Sequence, residues 1–317
     1  MSKPEERWMK GYKTEFGKKI GPWSPMNYEI LKDVIDSHLH IHDYMGYIDE
    51  VELAKRACDA GMKALVFKSS RHGIAAAETA RFTQKAIDEY AKAKELRPIN
   101  IFGGCVLSFS GTGGLNPEAI KMALELNLKV VWMPVFDAAG HLERTGMERN
   151  EAKRRGIYIL KGGEIISAVE DVLNVVAEAG LAISCGHLSL EEIMVFIDSA
   201  RSAGVKSVIV DHPNVGSMNA TLEQQKEIAR KGAYLNFCWT ELDPMFSSME
   251  IGDEINNIKE IGAEHSIACS DTGFLSAPFP MEALRMFIIY MKLNGLTQEE
   301  IDIMTKKNPA RILGLEI

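Results

Sequence analysis

The sequence lacks long apolar runs and has few cysteines. No stretch approaches the ~18 consecutive apolar residues of a transmembrane helix, so we expect no membrane span. The N-terminal MSKPEERWMKGYK has no apolar centre of the kind that a secretory signal peptide carries. The five cysteines are scattered and include no CxxC pair, which predicts buried reduced thiols and argues against a disulfide framework. These absences favour a cytoplasmic protein.

An excess of positive charge is also absent. Lys and Arg total 36 against 44 Asp and Glu, so the formal net charge is -8. This balance argues against a nucleic-acid-binding surface. The 317 residues are 46% apolar and 25% charged, which is ordinary for a globular protein with a sizeable core. We therefore expect a small-molecule substrate as the partner, and neither nucleic acid nor a membrane.

Apolar runs of strand character recur along the chain and alternate with helical patterns. The strand-like runs cover residues 33–40, 63–69, 100–107, 128–136, 181–187, 206–212, 233–239 and 265–271. The helical stretches cover residues 49–61, 75–93, 116–127, 163–180, 189–204, 221–232, 254–262 and 280–295. Eight strands that are each followed by a helix predict an α/β fold, the (β/α)₈ TIM barrel. A doubly wound open sheet is the alternative.

Two segments fall outside this repeat and define the domain organisation that we predict. Residues 1–32 form an N-terminal arm, and residues 33–317 form the barrel. Residues 137–166 form an insertion after the fourth strand, with a hairpin turn at Gly162-Gly163. Loops that follow barrel strands build the active-site face, so this insertion is a candidate lid. In a homo-oligomer the arm could complete a neighbour's pocket.

Polar side chains follow several of the predicted strands at their carboxyl ends. The first strand ends in His38 and His40, the fifth in His187, the sixth in His212 and the eighth in Asp271. We expect each of them to continue the inward-facing register of its strand. The carboxyl ends of barrel strands share one rim, so these groups can converge. Imidazole and carboxylate suit one divalent metal ion, Zn²⁺ first, with Mn²⁺ or Fe²⁺ as alternatives.

In this order the residues resemble the metal-dependent amidohydrolase superfamily, over about residues 33 to 315. The matching elements are Asp36-x-His38-x-His40, Gly186-His187, Asp211-His212, Ser270-Asp271 and the closing NPARILGL at 308–315. An HxH motif by itself is a weak signal. The motif followed by His, His and Asp, in that order at the ends of three further strands, is specific.

The resemblance implies roles for these residues. It implies that His38, His40, His187 and Asp271 contact the metal, with Asp271 also acting as the general base. It implies that His212 binds a second metal or polarises the substrate. Binuclear members place a carboxylated Lys or a Glu at the end of the fourth strand, where this chain reads VVWMPVF. One metal is therefore favoured, as in the branch that contains aminocarboxymuconate semialdehyde decarboxylase and pyrone-dicarboxylate lactonase.

The function that this resemblance implies is metal-dependent hydrolysis. A water activated by the metal would attack an amide, lactone or ester of a small anionic substrate, with Asp271 and His212 as the catalytic residues. The same constellation also suits a metal-dependent non-oxidative decarboxylase. A metal-binding barrel without catalysis is the third alternative.

Lys68 and Arg71, after the second strand, are the candidate anchors for the substrate's anionic group. A lysine inside the rim needs a partner for its charge, and a carboxylate or phosphate would supply one. Two other readings stay open for Lys68. Its side chain could extend out of the barrel wall, or it could be carboxylated and act as a bridging ligand.

The remaining histidines carry weaker expectations. We expect His72, His141 and His265 to be ordinary surface or core residues. His42 either faces solvent or supports the site from behind. Asp36 either holds an imidazole in the correct tautomer or belongs to a buried polar network.

Overall fold

The computed structural model describes residues 28–41, 48–214, 218–244, 249–275 and 277–316. Within them, eight parallel strands form one sheet in sequence order. The strands are β1 (Ile35–His40), β2 (Ala64–Lys68), β3 (Asn100–Val106), β4 (Leu128–Trp132), β5 (Ala182–Ser184), β6 (Ser207–Asp211), β7 (Tyr234–Cys238) and β8 (Ser266–Cys269).

Backbone hydrogen bonds join the first strand to the segment that follows the last one. The N–H of Asp271 donates to the carbonyl of His38, and the N–H of His40 donates to the carbonyl of Thr272, each at 2.8 Å. These bonds close the sheet at the carboxyl ends of its strands. The predicted TIM barrel is therefore confirmed, and the open sheet is excluded.

Helices surround the barrel and follow its strands. They are α1 (Glu50–Asp59), α2 (Ala75–Lys94), α3 (Phe109–Thr112), α4 (Pro117–Ala123), α5 (Ala139–Arg144), α6 (Arg149–Arg155), α7 (Ser167–Glu178), α8 (Leu190–Ser202), α9 (Leu222–Arg230), α10 (Ile251–Ile261), α11 (Pro280–Leu293), α12 (Gln298–Asp302) and α13 (Asn308–Leu313). Several begin at capping boxes, as at Ser189 and Glu192, which satisfy the first free N–H groups of α8. No helix in the described ranges is both long and apolar enough to cross a membrane.

The interior of the barrel is filled by apolar side chains. Val66, Val130, Ile209 and Ile267, from four different strands, belong to one buried cluster. Residues of α13 join the same cluster and close its lower end. This packing leaves the opposite end, where the strands finish, as the place for polar side chains.

The segment after β4 contains α5, α6 and a short hairpin. Leu160–Lys161 pairs antiparallel with Glu164–Ile165, and Gly162 and Gly163 between them both have positive φ, at +66° and +88°. Glycine meets this requirement without strain, as a two-residue turn needs. Within the N-terminal arm, the structure describes residues 28–32, which include the 3₁₀ turn Tyr28–Leu31. The rest of the arm and His42 lie outside the described residues.

Candidate metal centre at the barrel mouth

Three of the four expected metal ligands converge on one point. The Oδ1 atom of Asp271 lies 3.0 Å from Nε2 of His38 and 2.9 Å from Nε2 of His40. The ligand atoms of all three residues lie within 4.8 Å of one another, and all three side chains are buried. Two imidazole nitrogens and a carboxylate oxygen are a donor set that Zn²⁺ accepts.

Asp271 is held in place from two sides. It follows β8 with a φ of +49°, a strained conformation for a residue other than glycine. The hydroxyl of Thr240, in the 3₁₀ turn after β7, donates a 2.6 Å hydrogen bond to its Oδ2. Burial raises the pKa of Asp271, but His38 and His40 outweigh it and hold that pKa well below its usual range. The carboxylate is therefore ionised at neutral pH.

Asp211 orients the other side of the His38 imidazole. Its Oδ1 lies 3.3 Å from Nδ1 of His38 and accepts a 2.8 Å hydrogen bond from the amide of Asn236. Its Oδ2 accepts hydrogen bonds from the Trp132 indole (2.8 Å) and the Ser184 hydroxyl (2.6 Å). Burial raises the pKa of Asp211, but His38, Lys68 and His212 together hold it well below its usual range, so the carboxylate stays charged. A carboxylate behind the imidazole fixes the tautomer of a metal-ligating histidine.

Asp36 does not take the role of imidazole partner that we considered for it. Its Oδ1 instead accepts the backbone N–H groups of Ser270 at 3.1 Å and His38 at 3.4 Å. Burial raises the pKa of Asp36 to about 7. Asp36 thus belongs to a buried polar network that ties β1 to the end of β8.

Lys68 points into the site. Its Nζ atom lies 2.9 Å from Nε2 of His38 and 5.5 Å from the centre of the Trp132 ring, and the residue is 1% exposed. The alternative in which Lys68 extends out of the barrel wall is therefore wrong. Arg71 is exposed, with its guanidinium 4.9 Å from the centre of the Phe136 ring. The structure thus does not bring Lys68 and Arg71 to one point.

His187 and His212 form a neighbouring group with a third histidine. Nδ1 of His187 lies 3.0 Å from Nδ1 of His141, and the ring centres of His187 and His212 are 5.0 Å apart. Within the described residues, His187 is not part of the three-donor group. His141 had no assigned role, because it lies on α5 and no sequence pattern connects it to the strand ends. His72 and His265 are exposed, as expected for surface residues.

The expectation that His187 and His212 continue the inward-facing register of β5 and β6 was wrong by one residue. That register would turn Ile183 and Val210 inward, but both belong to the buried cluster that the strands share with the surrounding helices. Ser184 and Asp211 face the interior instead and hydrogen-bond to each other. His212 comes after β6 and reaches the rim through a turn, with a φ of +35°. The chain turns at Gly186, just before His187, in the same way, with a φ of +56°.

The charges around His38 favour a bound cation. Asp211 and Asp271 are both held ionised, while Lys68 supplies one positive side chain to the same buried pocket. Buried charge is stable only when it is balanced, so this surplus of negative charge fits a divalent ion. The residues present therefore fit a metal.

Comparison of the sequence with protein families matches the DUF6282 model, described as a family of unknown function, over residues 33–236. A comparison with curated proteins gives no match.

Solved structures with a similar fold include three hydrolases. An amidohydrolase from Pseudomonas aeruginosa superposes with a TM-score of 0.58 at 12% identity, over 90% of this chain and 97% of its own. An organophosphorus hydrolase from Deinococcus radiodurans gives 0.55 at 15% identity, over 90% and 94%. An amidohydrolase from Mycoplasma synoviae gives 0.54 at 16% identity, over 91% and 89%. These likenesses confirm the TIM-barrel fold that we expected from the sequence.

Proposed function

The chain belongs to the DUF6282 family, whose function is unknown, and from its site we propose that it is a metal-dependent hydrolase. The observation that carries the proposal is the convergence of His38, His40 and Asp271 at the mouth of the barrel. Catalytic groups of TIM-barrel enzymes lie at this end. The hydrolases among the structural neighbours support the same reading, although they match the fold alone.

Residues around this centre would take different roles in hydrolysis. A divalent ion held by His38, His40 and Asp271, Zn²⁺ in first place, would act as a Lewis acid and make a water molecule more acidic. Asp271 is buried and its Oδ1 lies beside both imidazoles, so its carboxylate is positioned to accept a proton from that water. Thr240 keeps the Asp271 carboxylate in one orientation, and Asp211 does the same for the His38 ring.

The substrate that we propose is a small ester, lactone or amide with an anionic group. Lys68 brings positive charge to the floor of the pocket, and Arg71 brings it to the rim. The reaction class follows the activities named for structural neighbours, which include an organophosphorus hydrolase and an N-acetyl-D-glucosamine-6-phosphate deacetylase. Cationic side chains at two depths would align an anionic substrate against the centre.

The test compares metal content and activity in matched variants. Metal-depleted protein is reloaded with Zn²⁺ or Mn²⁺ and assayed on a panel of lactones, aryl esters and amides. We expect His40→Ala to bind one equivalent of metal fewer than wild type and to lose hydrolysis. His265→Ala, which changes an exposed histidine away from the centre, should keep both. Full metal content and activity in His40→Ala would refute the proposal, and CO₂ release from aryl carboxylates without hydrolysis would favour the decarboxylase.

A further inference from the structure

Two of the five cysteines form a close pair at the carboxyl ends of the last two strands. Cys238 ends β7 and Cys269 ends β8, and the two residues are direct partners in the register of these strands. Their Sγ atoms lie 3.3 Å apart, and both side chains are fully buried. The other three cysteines pack in the buried cluster that the strands share with the surrounding helices: Cys58, Cys105 and Cys185.

The registers of β7 and β8 turn the paired thiols toward the interior of the barrel. Cys269 lies two positions after Ile267, a member of the interior cluster. Cys238 lies two positions after Asn236, whose amide donates to the interior carboxylate of Asp211. Residues two positions apart on a strand share a face. The pair therefore lies inside the barrel, on the side where the strands finish.

His38 completes a group of three possible metal ligands with these thiols. The ligand atoms of His38, Cys238 and Cys269 all lie within 4.8 Å of one another, and all three side chains are buried. Two sulfurs that each lie ~2.3 Å from one tetrahedral zinc ion are ~3.8 Å apart, so the pair needs to open by only about 0.5 Å. A small change of side-chain torsion is sufficient for this.

We propose that His38, Cys238 and Cys269 bind a soft metal ion, such as Cd²⁺ or Cu⁺, and that this ion excludes the one at the hydrolytic centre. Thiolate sulfur prefers soft ions, whereas the centre at His38, His40 and Asp271 offers nitrogen and oxygen. Each thiol releases its proton to solvent as its sulfur binds the metal. Two thiolates balance the charge of a divalent ion, which a buried site requires.

The two sites exclude each other because they share His38. Nδ1 of His38 faces the Asp211 carboxylate at 3.3 Å, which leaves Nε2 as the nitrogen for a metal. Nε2 is also the atom that lies 3.0 Å from Oδ1 of Asp271. One nitrogen lone pair binds one ion, so a soft ion on the thiols takes His38 away from the hydrolytic centre. This inhibition rests on the proposed function, whereas the thiol site does not.

Titration of the metal-free, full-length protein with Cd²⁺ under reducing conditions tests the thiol site. Thiolate ligands give Cd²⁺ an ultraviolet charge-transfer absorption that imidazole and carboxylate ligands do not give. We expect this absorption to reach a plateau at one equivalent in wild type. Cys238→Ala and Cys269→Ala should lose most of it. Cys105→Ala, which removes a buried thiol from β3, is the matched control and should behave as wild type does.

Histidine variants and a second metal test the exclusion. His40→Ala should keep the Cd²⁺ absorption, because His40 is not one of the three donors, whereas His38→Ala should weaken it. Mn²⁺, which prefers oxygen ligands to thiolate, is then loaded first, and its release is followed by electron paramagnetic resonance. In wild type, release should follow the thiolate absorption. Cys269→Ala should need several-fold more Cd²⁺ for the same release.

Absence of the charge-transfer absorption in wild type, or equal absorption in Cys238→Ala, would overturn the site. Thiolate absorption that grows while Mn²⁺ stays bound would overturn the exclusion. If His40→Ala binds as much Mn²⁺ as wild type while the thiolate absorption is present, the hydrolytic centre fails and the thiol site stands alone. Matching circular dichroism spectra would exclude a folding defect, and Cys269→Ser, which nearly keeps the side-chain volume, replaces an alanine variant that does not fold.

Discussion

The amine of Lys68 lies 2.9 Å from Nε2 of His38, the same nitrogen that stands 3.0 Å from Oδ1 of Asp271. A positive side chain and a metal ligand therefore share one corner of the pocket. The charge of Lys68 also contributes to lowering the pKa of His38, after the larger effect of burial. Lys68 must accommodate any cation that binds at His38, and its repulsion limits how tightly that cation is held.

Lys68→Met should tighten metal binding and weaken catalysis. The substitution keeps the length of the side chain and removes its charge, so repulsion of the bound ion disappears. We expect metal affinity at the His38 centre to rise by about tenfold or more, and KM for an anionic substrate to rise as well. Competition with a chromophoric chelator measures the affinity. A weaker metal site in Lys68→Met would mean that Lys68 supports the ion, as a carboxylated lysine would.

Thr240→Val should loosen Asp271. The variant removes the 2.6 Å hydrogen bond to Oδ2 of Asp271 and keeps the shape of the side chain. Residues that orient a metal ligand are typically worth ~10–100-fold in metal affinity or activity, and we expect a loss in that range. Thr240→Ser keeps the hydroxyl and should bind metal nearly as wild type does. Equal losses in the two variants would show that packing, and not the hydrogen bond, is responsible.

Gly140→Ala should displace α5 and with it His141. A Cβ atom at this position would collide with the backbone of Ser189. Overpacking of this kind costs about 1–3 kcal/mol, so the free energy of unfolding should fall by that amount. Gly252→Ala, in α10, is the matched control, because a Cβ atom there meets nothing within 4 Å.

The control should be neutral or slightly stabilising, as alanine usually is in a helix. Urea denaturation of the metal-free proteins measures the free energy of unfolding of both variants. Unchanged stability in Gly140→Ala would show that α5 can move away from the turn after β5 at little cost.

Two buried glutamates should make stability depend on pH. Burial raises the pKa of Glu241 from 4.5 to about 8, although the N–H groups of Cys238 and Asn214 donate to it. Burial and the neighbouring Glu241 raise the pKa of Glu254 well above 4.5, and neither of its carboxyl oxygens has a hydrogen-bond partner. Between pH 4.5 and about 8 the folded state keeps a proton that the unfolded chain has released. Stability from this source is therefore present at low pH and falls as the pH rises.

Glu254→Gln should flatten that pH dependence. Each raised carboxyl contributes a slope of up to ~1.4 kcal/mol per pH unit within its window. We expect the variant to lose less stability than wild type between pH 5 and 8, and to be the more stable protein at pH 8. Urea denaturation across this range is the measurement. Parallel curves for the two proteins would mean that Glu254 is ionised in the folded state at neutral pH.

Much of the barrel could be predicted from the chain alone. Strand-like runs alternate with helical patterns at a spacing that only a few folds accept, and capping residues such as Ser189 and Thr221 mark where helices begin. His38, His40 and Asp271 also followed from the sequence, since the residues at strand ends of a barrel share one rim. Local propensity and periodicity are enough for these conclusions.

The partners of those ligands could not be predicted in the same way. Asp211 was noted only as the neighbour of His212, yet it is Asp211 that faces the interior and orients His38. A shift of one residue at a strand end exchanges the inner and outer faces, and sequence pattern does not resolve it. Thr240 was not singled out at all, because a threonine after a strand has no distinctive pattern.

The sequence by itself determined the fold class, the rim at which chemistry is possible and three donors that converge there. Only the tertiary structure decided which charges surround those donors. It turned Lys68 inward, set Asp211 behind His38 and brought His141 to His187 across 46 positions. The reason is physical. Periodicity reports which face of an element is buried, whereas the position of α5 depends on close packing at Gly140, a contact between segments distant in the chain.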